Sequence, residues 1–134
     1  MIVDSGILIA LLDRTDKHHG AARATIALPE PRLVPEPVLV EADWFVLNRL
    51  GVDAEIAFLR GMTDEAFTIV NPRHEDRDRA TELISRYRDL HLGYVDAVLV
   101  AIAERLREPR IASLDRRDLL AIKPRHVEAF ELLP

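Results

Sequence analysis

With 134 residues, 49% hydrophobic and 31% charged, the chain has the size and mixture of a single globular domain, 1–134, with its own core. No apolar run approaches the roughly 18 residues that span a bilayer, and no basic leader precedes Met1-Ile2-Val3, so neither a membrane span nor a signal peptide is expected. The absence of cysteine excludes disulfides, thiolate metal sites and a Cys nucleophile and fits a cytoplasmic protein, while the net charge of −5 argues against nucleic-acid binding through a broad basic face.

Met1 to Val3 reads as a short buried strand, Asp4-Ser5-Gly6 as a turn, and Ile7 to Leu12 as a returning helix. Asp16 suits the cap of a second helix through Ala21, Ala22 and Ile26, stopped by Pro29 and Pro31. Arg32 to Val34 is a candidate strand. A helix follows from Glu36-Pro37 to Leu50, with Pro in its first turn and Gly51 at its exit. Asp53 to Arg60 predicts another helix ending at Gly61, and Ala66 to Val70 a strand through Phe67 and Ile69. Glu75 to Arg88 is amphipathic, with Ala80, Leu83, Ile84 and Tyr87 on its apolar face. Tyr94 to Leu106 is almost wholly apolar and therefore central. A strand at Arg110 to Leu114, a short helix at Arg116 to Leu120 and an edge strand at Glu128 to Leu132 complete the chain. Strands alternating with helices give an α/β fold with a mainly parallel sheet.

Against this frame, a set of acids stands out. Asp4 and Asp115 each close an apolar strand, the place where open parallel sheets bind ligands. Glu41 and Asp96 sit on helix faces they share with apolar residues: Val38, Trp44 and Phe45 for the first, Leu99 and Val100 for the second. Both faces must turn inward, so both acids point toward the sheet. Two unit charges about 5 Å apart repel by roughly 3 kcal/mol at an effective dielectric near 20. A hard divalent cation removes that cost, and two-metal sites clamp the oxygens of a phosphoryl displacement. The chemistry implied is hydrolysis of a phosphodiester. Singly, each acid also has a structural reading: Asp4 and Asp115 as caps, Asp96 as a first-turn dipole partner, Glu41 as an ion-pair member.

The motifs Met1-Ile2-Val3-Asp4-Ser5-Gly6, Val38-Leu39-Val40-Glu41-Ala42, Gly93-Tyr94-Val95-Asp96-Ala97 and Ala112-Ser113-Leu114-Asp115, in that order across the whole chain, resemble the PIN-domain family, specifically VapC-type toxins of bacterial toxin–antitoxin pairs. The resemblance implies a five-stranded, mainly parallel sheet with helices on both faces. It implies an Mg²⁺- or Mn²⁺-dependent endoribonuclease, a homodimer, and a cognate VapB-type antitoxin that blocks the site. It carries the metal-site and catalytic roles onto Asp4, Glu41, Asp96 and Asp115, with Ser5 and Ser113 as polar supports and Arg116 as a phosphate contact. Helix capping and turn bonding suit both serines equally. Ser113 stands where the family more often has Thr, Leu119 where it has Phe, and Pro35-Glu36-Pro37 where relatives often carry a hydroxyl.

Other residues invite weaker readings. Neighbouring His18 and His19 diverge by about 100° on a helix and form no metal motif. His91, near Asp96 in sequence, is a candidate substrate contact. Trp44 suits a base-stacking platform or, at its helical spacing, core or dimer packing. The apolar faces of Trp44 to Leu50 and Ile56 to Leu59 are candidates for a dimer contact. Asp118 fits a further ligand or, preferably, a cap. Lys123-Pro124 resembles a response-regulator receiver, but no paired acids follow the first strand and no strand ends at Asp53. The remaining alternative is a catalytically inactive PIN fold used as an RNA-binding or protein-interaction module.

Overall fold

In the computed structural model, which describes residues 1–64 and 66–134, the strands are β1 (Ile2–Val3), β2 (Leu33–Pro35), β3 (Thr68–Val70), β4 (Arg110–Ala112) and β5 (Glu131–Leu133). They form one sheet in the order β3-β2-β1-β4-β5, and each neighbouring pair is parallel. Ile2 is in register with Leu33 on one side and Ile111 on the other, and Val3 with Ala112. Ile2, Val3, Ile111 and Ala112 are fully buried, which is why the central strands read as continuous apolar runs rather than alternating ones.

The helices among the described residues are α1 (Ser5–Leu12), α2 (His19–Ile26), α3 (Glu36–Leu50), α4 (Val52–Thr63), α5 (His74–Arg86), α6 (Tyr94–Leu106) and α7 (Arg117–Ala121). The chain walks outward from β1 to β2 to β3, then crosses back to β4 and β5. Right-handed crossovers therefore place the helices of the two halves on opposite faces of the sheet. The walk reverses between β1 and β4, and the crevice beyond their carboxyl ends is the topological switch point. In α6, every residue from Ala97 to Ala103 is buried, and the helix packs against α5, α3 and β2. The order and type of the elements match those expected from the sequence, and α3 and α6 match to the residue.

Several boundaries differ. Ser5 and Gly6 are not a turn but the first residues of α1, because the Asp4 side chain accepts from Ser5 N at 2.7 Å and starts the helix directly. Asp16 does not cap α2. Its Oδ1 accepts from His18 N at 2.7 Å, a turn that leads into the helix, and His18 occupies the cap position. Gly61 does not end α4, which continues to Thr63; the burial of Phe58 and Met62 outweighs the helix penalty of one glycine, about 1 kcal/mol. Gly51, at φ +87°, joins α3 to α4 in a conformation that side chains rarely adopt. The helix expected to reach Arg88 stops at Arg86 and gives way to a single 3₁₀ turn, Arg88–Leu90. The last strand is Glu131–Leu133, at the sheet edge beside β4.

Candidate active site

At the switch point, Asp4, Glu41, Asp96 and Asp115 all line one cavity of about 500 Å³, together with Ser5, Gly6 and Leu114. They come from four separate parts of the chain: the end of β1, the second turn of α3, the first turn of α6 and the loop after β4. No Lys, Arg or His is among its lining residues.

Asp4 is the most constrained of the four. Its Oδ2 accepts from Ser113 Oγ at 2.6 Å and its Oδ1 from Ser5 N at 2.7 Å. Ser113 Oγ in turn accepts from Asp115 N at 3.1 Å. One buried hydroxyl therefore ties the strand-end acid of β1 to the loop that carries Asp115. Burial pushes the Asp4 carboxyl above its ordinary value; the bonds from Ser113 and Ser5 oppose this, and the charges of Glu41 and Asp115 add to it.

Asp96 lies in the first turn of α6, where the helix dipole favours an anion. Even so, burial first, and then the neighbouring charges of Asp4, Glu41 and Asp115, push its carboxyl up to about 6. Glu41 is half-buried on the face of α3 that carries buried Val38. The mutual charge of these groups is the physical signature of acids gathered without a cation among them.

The supports expected from the sequence divide. Ser113 holds Asp4 through its hydroxyl, whereas Ser5 acts on Asp4 through its backbone N–H. Arg116 is not among the residues lining the cavity; its Nη1 donates to Pro134 O at 2.6 Å. His91 lines a different cavity, with Thr81, Ser85 and Arg88. Asp118 does not cap α7; it sits in its first turn, takes a bond from Arg117 Nε at 3.0 Å, and contributes only the last of the charges felt by Asp96. Trp44 is not core: its side chain is exposed. The sequence reading missed Tyr94 and Arg77, which line a cavity adjoining the acids. The available signal was Tyr94, an aromatic residue two positions before a site acid on the same helix start.

The donor set fits a hard divalent cation. It consists of carboxylate oxygens without thiolate or imidazole, the preference of Mg²⁺ and Mn²⁺. Among the described residues, no group of three or more acids or histidines is gathered closely enough to hold an ion by itself. An open arrangement suits a cation that takes one or two carboxylates directly and retains several waters.

Comparison with known proteins gives the family and the fold. Residues 1–123 match the family model described as PIN domain. Ribonuclease VapC26 of Mycobacterium tuberculosis (strain ATCC 25618 / H37Rv) is 34% identical over 135 residues, covering all of both chains. Among solved structures, M. tuberculosis VapC20, described as a Sarcin-Ricin loop cleaving toxin, superposes with a TM-score of 0.83 at 21% identity, covering 95% of this chain and 98% of that one. VapBC2 from Rickettsia felis, bound to a promoter DNA fragment, gives a TM-score of 0.74 at 11% identity, covering 99% and 98%. These two structural likenesses speak to the fold.

Proposed function

Because this chain belongs to the PIN-domain family, we propose that it is a divalent-metal-dependent endoribonuclease, the toxin of a toxin–antitoxin pair, acting through Asp4, Glu41, Asp96 and Asp115 as one domain, 1–134. The observation that carries this reading is the convergence of those four acids on one cavity with no cation among the lining side chains. The full-length relative named a ribonuclease supports RNA as the substrate, and a cytoplasmic place of action is part of the same proposal.

Asp4, Asp96 and the acids beside them would hold Mg²⁺ or Mn²⁺. The cation supplies neutralisation of the phosphoryl oxygens and acidifies the attacking water. The chain's own residues set the geometry. Ser113 and Ser5 N fix both oxygens of Asp4 in place. The dipole of α6 favours ionised Asp96. Glu41 closes the side of the cavity toward α3. The clustered negative charge repels an RNA phosphate unless a cation is present, so binding and chemistry both depend on it.

An antitoxin is the second partner. The acidic cavity suits a basic segment, an Arg reaching the carboxylates, which would exclude both cation and phosphate. The exposed stripe of Leu47, Leu50, Val52, Ile56 and Leu59 on α3 and α4 suits a second copy of the chain. A dimer in sedimentation at micromolar concentration checks that contact, and a monomer removes it.

The test of the function is cleavage of a labelled total-RNA pool by purified chain with Mg²⁺, with Mn²⁺ and with EDTA, alongside Asp96→Asn. Discrete fragments that require both metal and Asp96 are expected. Cleavage that survives EDTA or the substitution would overturn the site.

A further inference from the structure

Beside the acids lies a second cavity of about 700 Å³, within the range of about 300–1,000 Å³ typical of small-ligand sites. Its walls include Val40 and Trp44 of α3, Tyr94 at the start of α6 and Arg77 of α5. Glu41 borders both this cavity and the acidic one, so the two lie side by side with its side chain between them. Three of these walls are large apolar side chains left open to solvent: Val40 is 62% exposed, Trp44 60% and Tyr94 46%.

The Trp44 ring meets Phe45 edge to face, with centroids 5.3 Å apart and planes at 90°. That contact orients the indole and engages at most one of its faces, so the other is free to stack. Tyr94 brings a second aromatic ring to the same groove, and Arg77 is its lining cation. Glu36 and Glu41 at the rim disfavour a phosphate inside the groove but tolerate the amino edge of a base. Flat apolar walls, one guanidinium and a wall shared with the acids match a nucleotide whose base lies in the groove and whose phosphate lies outside it.

We infer that this groove is a nucleobase subsite: an unpaired base of the RNA strand, next to the scissile phosphodiester, stacks on Trp44 and Tyr94 while Arg77 meets the adjoining phosphate. The inference rests on the ribonuclease reading above. Every base has a π-face, so such a platform selects for unpaired RNA more than for sequence. Paired bases are covered by their neighbours and cannot enter.

Trp44 is the single tryptophan of the chain, so its fluorescence reports the groove directly. The binding arm uses the cleavage-disabled Asp96→Asn chain in Mg²⁺, titrated with a single-stranded oligoadenylate, an abasic ribose-phosphate strand of equal length and an RNA duplex. Saturable quenching by the oligoadenylate, absent with the other two, is expected. The cleavage arm uses total RNA. Trp44→Ala and Tyr94→Ala should lower the rate about tenfold at low RNA and little at saturation, a rise in KM with kcat retained, and Trp44→Phe should retain most activity.

No quenching, or equal quenching by the abasic strand, overturns the subsite. So does a Trp44→Ala chain that sediments as a smaller species than the parent, which would assign Trp44 to a contact between copies. Cleavage without base-dependent quenching removes the subsite and leaves the nuclease standing. Base-dependent quenching without cleavage does the reverse.

Discussion

Among the described residues, two clusters of carboxylates have opposite surroundings. Between α5 and α6, each has a guanidinium. Arg105 Nε donates to both oxygens of Asp76 at 2.9 and 3.0 Å. Arg79 clasps Glu104 through Nε at 2.8 Å and Nη2 at 2.9 Å, the two-pronged geometry that suits arginine. Glu104 and Glu82 hold the Arg79 guanidinium above its usual value, chiefly through the Glu104 bond. Arg125 adds a bond to Glu82 at 2.7 Å. At the carboxyl end of the sheet, by contrast, four acids line a cavity with no cation among its side chains. The chain thus supplies arginines where acids join two helices. Where it leaves acids facing one another, their mutual repulsion is a cost to the fold that the proposed cation would relieve.

The largest effect expected from this contrast is on activity. Asp96→Asn should reduce RNA cleavage by at least about a hundredfold, since several kcal/mol of charge stabilisation depend on the cation site. The same substitution should leave the fold intact and raise the melting temperature of the metal-free chain, because it removes one of the charges that repel. Asp76→Ala is its counterpart. Removing the buried carboxylate leaves the partly buried Arg105 with only Glu75, at 4.0 Å, and should cost about 3 kcal/mol in denaturant unfolding, with cleavage per folded molecule unchanged. If Asp76→Ala lowered the specific activity and Asp96→Asn lowered the stability, the two regions would have exchanged roles and the comparison would fail.

Ser113→Ala sharpens the comparison inside the acidic site. It removes the 2.6 Å bond that orients Asp4 and the acceptor for Asp115 N. Loss of a group that positions a metal-binding acid typically costs about 10–100-fold in metal affinity or activity. The readout is the Mg²⁺ concentration giving half-maximal cleavage, which should rise by that order, while Ser113→Thr should preserve it. An unchanged metal requirement in Ser113→Ala would show that Ser5 N alone suffices to hold Asp4.

How much of this the sequence disclosed follows from where the relevant forces act. Helix α6 is legible to the residue because Ala97 to Ala103 are all buried and Gly93 precedes it; α3 is legible because Pro37 and Gly51 mark its ends. The acids are legible because a carboxylate in an apolar run is costly wherever it folds. What local pattern does not carry is long-range pairing. Asp76 and Arg105 are 29 positions apart, and Arg79 and Glu104 are 25 apart, with no periodicity linking them. The same limit hides the bond from Arg116, beside a site acid in sequence, to the carbonyl of Pro134. It also made Trp44 resemble a core residue, since helical spacing describes a face without saying what covers it. The end of α4 eluded the pattern for a local reason, because Gly61 is a weak stop that tertiary burial overrides.

The smallest effect is the one that reads the uncompensated charge most directly. Asp96 titrates near 6 in the folded chain, above its ordinary 3.8, through burial and the charges of Asp4, Glu41 and Asp115. A raised folded value means that the protonated form is the one that favours folding. Its contribution is therefore fully present below about 3.8 and is lost as pH rises through about 6. In EDTA, this group makes the melting temperature fall between about pH 4 and pH 6. Asp4, also raised by burial, acts in the same direction. Saturating Mg²⁺ should flatten the step, because a cation stabilises the ionised acids in place of protons. Asp96→Asn should shrink it with or without metal. Asp76→Asn should leave the step in place while lowering the whole curve, because its partner is a guanidinium that does not titrate in this range. A pH step that disappears in Asp76→Asn and persists in Asp96→Asn would place the uncompensated charge between the helices rather than at the end of the sheet.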